Sequence, residues 1–450
     1  MNFSTDVFIF VFFPLCILTF NLVPPKWRIV VILIFSLVFY GASGIFPVLL
    51  LIMSSACAFY FAPHIITRKW LMWPAVTFPL MMLYLFKYLD FTLTITGAGE
   101  ELRGMIYPVL AISLPAGISF YTFQIVAYLI DVYDGKLKPE KNLILFSAFI
   151  SFFPQLIAGP ILRYEQICSQ LTRLNQKEKL IPDLSRGAKF IAFGLFAKIF
   201  FADMLLSTRK GLIGIEHPVN FFDNLYSVFS YSMVIYYDFW AYSLIAIGLG
   251  KFFSINLPRN FHEPYLSPSL KEFWRRWHTT LSFWLRDYVY FRLGGNRSYV
   301  RNILIVFFAV GIWHGAGLNF MAWGIYHAFF VLFYHFTRPF WDRLWKPLQV
   351  ALTFIIVSFG WPLFYLNLTD YLTLINNFCL LDLDTPRIVN LNKWGFLGII
   401  LLWTFLMRET QWLFNQKSHW LFDNPGLWAI LGFMAVLFFS YGKTFIYFAF

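Results

Sequence analysis

The sequence predicts an all-α polytopic membrane protein, and three features of its composition support this fold class. Hydrophobic residues make up 59% of the 450 residues and charged residues only 13%, whereas about a quarter of a soluble protein is charged. The mean hydropathy of +0.64 reflects long apolar runs rather than one large core. Aromatic residues reach 22%, with 57 Phe, which is typical of packed helices in lipid with amphipathic rings at the interfaces.

Apolar runs of nearly span length occur along the whole chain. Since a helix needs about 20 apolar residues to cross a bilayer, they predict about ten to twelve membrane helices. We expect the first run to be a retained helix, because MNFSTDVFIF lacks the basic region and the small-residue cleavage site of a signal peptide. The runs lie at roughly 7–23, 28–44, 46–62, 71–92, 105–130, 188–206, 225–250, 300–313, 318–337, 347–366, 394–407 and 428–448.

A further apolar run, ILFSAFISFFPQLIAGPI at 144–161, is a poor straight span. Pro154 and the pair Gly159-Pro160 interrupt it. We expect this segment to be re-entrant, which is tolerated only where protein or water satisfies the backbone. The polar segment that follows, at 163–189, is expected to remain in the cytoplasm.

The orientation of the chain is predicted from the basic residues in its loops. One short loop holds Lys26 and Arg28 and another holds Arg68 and Lys69, whereas the loop DFTLTITGAGEELRG is acidic and glycine-rich. Because basic loops collect on the cytoplasmic side, the N-terminus is predicted to be extracytoplasmic. The same rule accounts for the net charge of +12, so we expect no nucleic-acid partner.

The domain organisation is predicted to be simple. Residues 1–450 show no soluble domain and no short repeat, and we expect one membrane domain with a core at about 105–340 and peripheral helices at 1–104 and 341–450. The cysteines have neither a CxxC motif nor metal-ligand spacing, which argues against a disulfide framework or a metal site. They are Cys16, Cys57, Cys168 and Cys379.

The densest basic region lies at 251–301, where nine Lys or Arg stand against three acids. That charge balance alone is what the positive-inside rule predicts for a cytoplasmic loop. Its central stretch, FWRRWHTTLSFWLRDYVYFRLGGNR at 273–297, predicts one amphipathic helix in the interface plane, with arginines toward headgroups or water. Its apolar face is formed at intervals of three or four residues by Phe273, Trp277, Leu281, Trp284, Tyr288 and Phe291.

Histidines supply the chemical signal of the chain. His314 follows the apolar run RNILIVFFAVGIW, and an ionisable side chain at that depth is a functional hypothesis by default. An imidazole there could act as a general base on a hydroxyl group. His278, which the amphipathic pattern does not explain, is expected at a cytoplasmic mouth ringed by arginines, where it could meet an anionic donor. We interpret His327 as a hydrogen-bonded packing residue and His335 as interfacial.

Six segments in order resemble the membrane-bound O-acyltransferase family, and most of all its bacterial alginate O-acetylation branch. Two of them are FWRRWHTTLSFWLRDYVYFRLGGNR and GIWHGAGLNFMAWGIYHA, which contain the two histidines. The other four are SLPAGISFYTFQ at 113–124, FFPQLIAGPI at 152–161, FGLFAKIFFAD at 193–203 and LPRNFHEPYLSPSLKEFW at 257–274. The resemblance extends from about residue 5 to 366 and is fainter beyond.

The resemblance implies a ring of tilted helices around a central funnel or tunnel in the bacterial inner membrane. It also implies catalytic roles for His314 in the WHG motif and for His278 in the RWH motif. The acyl donor would enter from the cytoplasm as acetyl-CoA or an acyl-carrier thioester, with no tightly bound cofactor. Supporting positions for donor binding would be Arg275, Arg276, Trp277, Arg286, Asp287 and Trp313.

The implied partners are a cell-envelope glycan as acceptor, an extracytoplasmic partner acyltransferase and membrane lipid. The segment YDFWAYSLIAIGLG at 237–250 departs from the DFSGYSDMAIG-like stretch of alginate-type relatives, and SFWLRDYVYFRL resembles the D-alanyl-lipoteichoic-acid branch. Acetyl transfer to a polysaccharide is therefore the leading hypothesis, with D-alanyl transfer to a teichoic-acid-type polymer as the alternative. A polysaccharide or lipid transporter, and a scaffold subunit of an envelope complex, are the competing classes.

Overall fold

The predicted all-α fold class is confirmed in a computed structural model. All regular elements in its described residues are helical. It describes residues 3, 5–97, 114–176, 183–209, 212, 220–383, 387–406, 414 and 424–437. Parts of the runs predicted at 105–130 and 428–448 lie outside these residues.

Several helices are long and apolar enough to cross a membrane. Among the described residues there are five: Ile45–Thr67, Lys69–Lys87, Leu184–Thr208, Phe221–Phe252 and Lys346–Phe364. Shorter apolar helices occur at Val7–Leu22, Ile118–Tyr133 and Leu391–Leu406. The membrane character of the chain is thereby confirmed, and the count of ten to twelve spans stays a prediction.

The chain divides into two compact units, each built from two stretches of sequence. The first unit comprises Met1–Ile191 and Tyr242–Pro258, and the second comprises Ala192–Ala241 and Arg259–Phe450. The division into a core at 105–340 and peripheral helices stays a prediction. In the first unit the helices are Val7–Phe12, Phe13–Leu22, Arg28–Gly41, Ile45–Thr67, Met72–Lys87, Leu89–Thr96, Ile118–Tyr133, Leu143–Ser151, Phe153–Leu156 and Tyr164–Leu174.

The broken run at 144–161 lies in the first unit, and the structure shows how its backbone is satisfied. Helix Leu143–Ser151 ends at Phe152, and a short buried helix, Phe153–Leu156, follows. The Phe153 N–H donates to Ser36 Oγ at 3.1 Å, and Gln155 Nε2 donates to the Phe149 carbonyl at 3.0 Å. The interruption at Pro154 therefore needs polar side chains of the protein, as expected for non-helical backbone in an apolar setting.

The second unit contains both motif histidines. It begins at Ala192, within helix Leu184–Phe196, which continues through a π-helical segment, Ala197–Asp203, into Met204–Thr208. The long helix Phe221–Phe252 contributes its first two thirds to this unit. The other helices of this unit are Leu270–Arg276, Thr279–Leu285, Arg286–Tyr290, Tyr299–His314, Leu318–Trp341, Lys346–Gly360, Leu368–Leu380, Leu391–Leu406 and Pro425–Leu437.

A hairpin of two closely packed helices, Tyr299–His314 and Leu318–Trp341, places His314 at its turn. The helices approach through glycine. A Cβ added to Gly311 would lie 2.4 Å from the Phe320 carbonyl oxygen, and one added to Gly324 would lie 2.4 Å from the Phe307 carbonyl oxygen. Small residues permit this approach of two backbones in membrane helices. The pair of glycines thus fixes the geometry of the turn that carries His314.

Candidate functional site

The ring of Trp313 contacts both motif histidines. Its centroid lies 6.1 Å from that of His278 and 5.0 Å from that of His314. His278 is 2% exposed and His314 is 5% exposed. The structure therefore brings together three residues that the sequence singled out, although they are separated by up to 36 positions in the chain.

His278 occupies a break between two helices. Its backbone is left-handed, with φ 43° and ψ 55°, between Leu270–Arg276 and Thr279–Leu285. For a residue other than glycine this conformation costs about 1–3 kcal/mol, and such residues cluster at active sites. The break turns the imidazole away from the surface of the helix and into the protein.

Asn260 holds the segment that carries His278. Its side-chain oxygen lies 3.2 Å from His278 Nδ1 and accepts a hydrogen bond from Thr280 Oγ1 at 2.8 Å. Its backbone carbonyl accepts from the Thr279 N–H at 2.9 Å. Because a carbonyl oxygen only accepts, His278 Nδ1 carries the proton and Nε2 has the lone pair. Asn260 lies in the motif LPRNFHEPY, but its role was not visible in the sequence.

The prediction of one continuous amphipathic helix at 273–291 is wrong. The helix ends at Arg276, and the segment after Leu285 is π-helical. The predicted apolar face packs in the protein rather than in the interface, and only Phe291 among its members is exposed. The hydrogen bonds to Asn260 satisfy the backbone at the break, which explains why the apparent helical period does not continue as one helix.

His278 does not stand at an open mouth ringed by arginines, as was expected. The side chain of Arg275 is 63% exposed, and Arg275 and Arg276 both pair with Glu272, at 3.6 and 2.9 Å. Burial lowers the pKa of His278 to about 3. The imidazole is therefore neutral at physiological pH, and its Nε2 can accept a proton or a hydrogen bond.

His314 lies in an aromatic enclosure. Its ring centroid is 5.0 Å from Trp323 and 5.0 Å from Phe364, in edge-to-face arrangements, in addition to the contact with Trp313. Aromatic walls of this kind exclude water, which strengthens electrostatic interactions with a reacting group. His314 is buried at the end of helix Tyr299–His314, and its depth in the membrane stays a prediction.

His327 packs as predicted but without hydrogen bonds. It is fully buried, with ring centroids 4.9 Å from Trp274 and 4.7 Å from Trp323. Within the described part of the chain, neither of its ring nitrogens has a hydrogen-bond partner. Trp323 therefore contacts His314 on one side and His327 on another.

The remaining predicted residues lie in three settings. Trp277, the residue before His278, is buried and packs against Trp361, with ring centroids 4.7 Å apart. Arg286 and Asp287 form a two-point ion pair with each other, at 2.7 and 3.1 Å, in the π-helical segment. Arg275, which is exposed, and Arg276, which is partly exposed, lie at the end of the helix that leads to His278 and carry donors that could hold phosphate groups.

A buried charge cluster was missed by the sequence analysis. Lys198 Nζ lies 2.6 Å from Asp203 Oδ1 and 2.7 Å from Asp238 Oδ1, and all three side chains are buried. The cluster ties the π-helical segment Ala197–Asp203 to helix Phe221–Phe252. Phe239, the residue after Asp238 in that helix, contacts His278, with ring centroids 4.7 Å apart. Charged residues inside apolar runs such as FGLFAKIFFAD are the signal that could have identified it.

Comparison with known proteins adds a family to this geometry. The family model described as "MBOAT, membrane-bound O-acyltransferase family" matches residues 139–373. Both histidines, Trp313, Asn260 and the buried charge cluster lie inside the matched region. The resemblance predicted from the motifs is thereby confirmed.

Three relatives illustrate the range of similarity. "Probable alginate O-acetylase AlgI" of Pseudomonas aeruginosa is 35% identical over 383 residues, 81% of this chain and 72% of that protein. "Peptidoglycan O-acetyltransferase" of Helicobacter pylori is 31% identical over 410 residues, 80% of this chain and 76% of that protein. "Teichoic acid D-alanyltransferase" of Bacillus subtilis is 33% identical over 270 residues, 55% of this chain and 68% of that protein.

Proposed function

The chain belongs to the membrane-bound O-acyltransferase family, and we propose that it transfers an acetyl group from a cytoplasmic thioester toward a cell-envelope polysaccharide or a partner transferase. The observation that carries this proposal is the position of His314, buried at the turn of a helical hairpin and joined through Trp313 to a second buried histidine. An enclosed pair of imidazoles suits acyl transfer with water excluded.

In the proposed reaction, His314 acts as the general base. It accepts the proton of the acceptor hydroxyl while the hydroxyl oxygen attacks the thioester carbonyl carbon. The tetrahedral intermediate collapses, the carbon–sulfur bond breaks, and the thiolate receives the proton from the imidazolium. General base catalysis of this type contributes about 10²–10⁴ in rate.

His278 is proposed to act as a neutral hydrogen-bond acceptor for an N–H or O–H group of a substrate, since a thioester group itself has no hydrogen to donate. Its Nδ1–H donates to Asn260 Oδ1, and this bond fixes the tautomer in which Nε2 is the basic atom. Burial keeps the pKa of this histidine far below its ordinary value. His278 therefore supplies a fixed dipole rather than a positive charge, and His314 carries the proton transfer.

The donor is proposed to be acetyl-CoA or an acyl-carrier thioester. Both carry phosphate groups, which Arg275 and Arg276 can bind through charge-assisted hydrogen bonds. The two arginines share a single carboxylate, Glu272. Their guanidinium groups therefore have more N–H donors than this carboxylate can accept, and the remaining donors can bind a phosphate. Neither donor is expected to remain bound as a resident cofactor.

The acceptor is proposed to be a cell-envelope glycan, with an extracytoplasmic partner transferase as the other recipient of the acetyl group. Two relatives that cover about four fifths of this chain are named for O-acetylation of alginate and of peptidoglycan. The relative named for teichoic acid D-alanylation covers 55% of the chain. This difference favours acetyl transfer, and D-alanyl transfer remains the second candidate.

The setting is proposed to be the bacterial inner membrane, with the N-terminus extracytoplasmic and the segment at 251–301 in the cytoplasm. The alternation of basic and non-basic loops supports this orientation. The exposed apolar side chains of its helices, such as Leu18, Trp73 and Phe329, suit contact with lipid.

Thioester turnover by the purified protein tests the proposed function. The protein receives acetyl-CoA, acetyl-carrier thioester or D-alanyl-carrier thioester in turn, and release of free thiol is followed with and without a glycan acceptor. We expect acceptor-dependent thiol release with an acetyl donor. Release with the D-alanyl donor alone would support the second candidate, and polysaccharide flux without thiol release would support a transporter.

A further inference from the structure

A basic cavity lies at the end of the helical hairpin opposite to His314. Its volume is about 150 Å³, roughly ten times the 10–15 Å³ that holds one water molecule. The residues that define its character are Lys271, Glu272, Arg275, Tyr299, His335 and Arg338. Because Tyr299 and His314 are the two ends of one helix, the cavity lies about 22 Å from the turn at 1.5 Å per residue.

Positive charge dominates the cavity. Lys271, Arg275 and Arg338 line it, and Glu272 is the single acid among its lining residues. Glu272 is shared between Arg275 and Arg276, with the shorter contact, 2.9 Å, to Arg276. Lys271 has no ion-pair partner in the described part of the chain. Arg338 pairs with Asp342 outside the lining, at 3.1 Å, so the excess of positive charge comes from Lys271 and from the two arginines that share Glu272.

Arg338 retains donors that can reach a ligand. Its Nε–H donates to Asp342 Oδ2 at 3.1 Å, and an arginine has four further N–H donors on its terminal nitrogens. Asp342 also accepts from the Tyr334 hydroxyl at 3.2 Å, so this carboxylate orients the guanidinium. A fork of N–H groups held in this way matches the oxygens of a phosphate.

An aromatic pair completes the wall of the cavity. The rings of Tyr299 and His335 lie with centroids 4.4 Å apart at 37°. Their polar atoms, with the hydroxyl of Ser269, add neutral hydrogen-bonding groups to the cationic ones. A site with several cationic donors and neutral hydroxyls suits a phosphate ester better than a carboxylate, which has fewer oxygens to satisfy.

The same end of the hairpin has the character of a membrane interface. Phe336 and Phe340 are exposed on the face of helix Leu318–Trp341 away from Arg338, and Trp345 is exposed just beyond it. Aromatic residues of this kind mark the headgroup level of a bilayer. A basic cavity at that level is within reach of lipid headgroups and of a phosphorylated donor arriving from the aqueous side.

We propose that this cavity binds a phosphate ester, supplied by an anionic phospholipid headgroup or by the phosphate of the acyl donor. The lipid source is independent of the proposed acyl transfer, whereas the donor source rests on it. In both cases the bound phosphate contacts helix Leu270–Arg276, whose C-terminus leads directly to Trp277 and His278. Occupancy of the cavity therefore stabilises the segment that carries His278.

Native mass spectrometry of the full-length protein tests this proposal with defined probes. The protein is titrated with phosphatidylglycerol, with diacylglycerol as the phosphate-free lipid, and with coenzyme A. The test variant is Lys271→Gln with Arg338→Gln, and the control variant is Arg343→Gln with Lys346→Gln, which removes the same charge from exposed positions outside the cavity. Thermal unfolding of both variants checks that they fold.

The wild type and the control are expected to bind phosphatidylglycerol or coenzyme A at least tenfold more tightly than the test variant, with no such difference for diacylglycerol. Tight phosphatidylglycerol binding that coenzyme A does not compete identifies the lipid source. Coenzyme A binding that depends on Lys271 and Arg338 identifies the donor source. Equal binding of both phosphate probes by the test and control variants overturns the proposal.

Discussion

His278 Nδ1 lies 3.2 Å from Asn260 Oδ1, and this contact links the RWH motif to a segment 18 residues earlier in the chain. The same oxygen accepts from Thr280, so one amide side chain fixes both the tautomer of the histidine and the start of the next helix. Asn260 is therefore one of the neighbours that hold this neutral imidazole at its left-handed break.

Replacing Asn260 with Leu tests the role of this contact. We expect kcat to fall by about tenfold, since the loss of a buried hydrogen bond of about 1–3 kcal/mol leaves the imidazole without its orienting acceptor. Asn260→Asp retains the accepting oxygen and should recover most of the rate. Steady-state kinetics of both variants give the answer. Equal losses in the two variants would show that Asn260 acts only in packing.

The pH dependence of the reaction is expected to be independent of His278. Since burial lowers its pKa to about 3, the imidazole stays neutral from pH 5 to 8. The profile of kcat/KM for His278→Gln should therefore have the wild-type shape at a uniformly lower level. An acidic limb near pH 6.5 that disappears in the variant would contradict this assignment.

The burial of His278 is also expected to make the stability of the protein depend on pH. In the unfolded chain this histidine has its ordinary pKa of about 6.5, so the unfolded state binds more protons than the folded state below that pH. Its contribution to stability is therefore fully present above pH 6.5 and declines as the pH falls toward 3. Thermal unfolding at pH 5 and pH 8 should show a smaller difference for His278→Gln than for the wild type.

Lys198→Met is expected to destabilise the protein by about 3–5 kcal/mol, because it leaves the carboxylates of Asp203 and Asp238 buried without their shared cation. Adding Asp203→Asn and Asp238→Asn to the same chain removes the buried charge and should recover part of the loss. Thermal unfolding in detergent measures both effects. If Lys198→Met were as stable as the wild type, Lys198 would not be stabilising the two buried carboxylates.

Gly311→Ala is expected to impair activity more than Gly395→Ala. A Cβ at Gly311 meets the Phe320 carbonyl oxygen at 2.4 Å, whereas one at Gly395 has nothing within 4 Å. The first change must separate the two helices that position His314. The second should stabilise its helix by roughly 0.5–1 kcal/mol. Transfer assays at equal protein level compare them, and equal activity would argue against a rigid turn.

Part of the fold and of the candidate site could be predicted from the sequence. Long apolar runs predicted a helical membrane protein, and Pro154 predicted the break in the run at 144–161. His314 was singled out because a titratable side chain after thirteen mostly apolar residues is costly unless it is used; the structure shows it buried, and its catalytic role stays a prediction. These features are local, and the residues that produce them are neighbours in the chain.

The rest depends on contacts between distant residues. The apolar period at 273–291 continues smoothly through His278, and the break there shows only in the structure, in the left-handed backbone of His278 and the hydrogen bonds that Asn260 accepts. The charge cluster joins Lys198 to Asp238 across 40 positions. Periodicity reports which face of a helix is apolar, but it does not report whether that face meets lipid or protein.

The most direct measurement is acyl transfer by purified His314→Ala supplied with a thioester donor and an acceptor. The control is His64→Ala, whose exposed ring bonds only within its own helix, to the Tyr60 carbonyl at 2.8 Å. We expect His314→Ala to insert normally and its transfer rate to fall by a factor of about 10²–10⁴, while His64→Ala keeps the wild-type rate. Transfer by His314→Ala at the wild-type rate would contradict the central role assigned to this histidine.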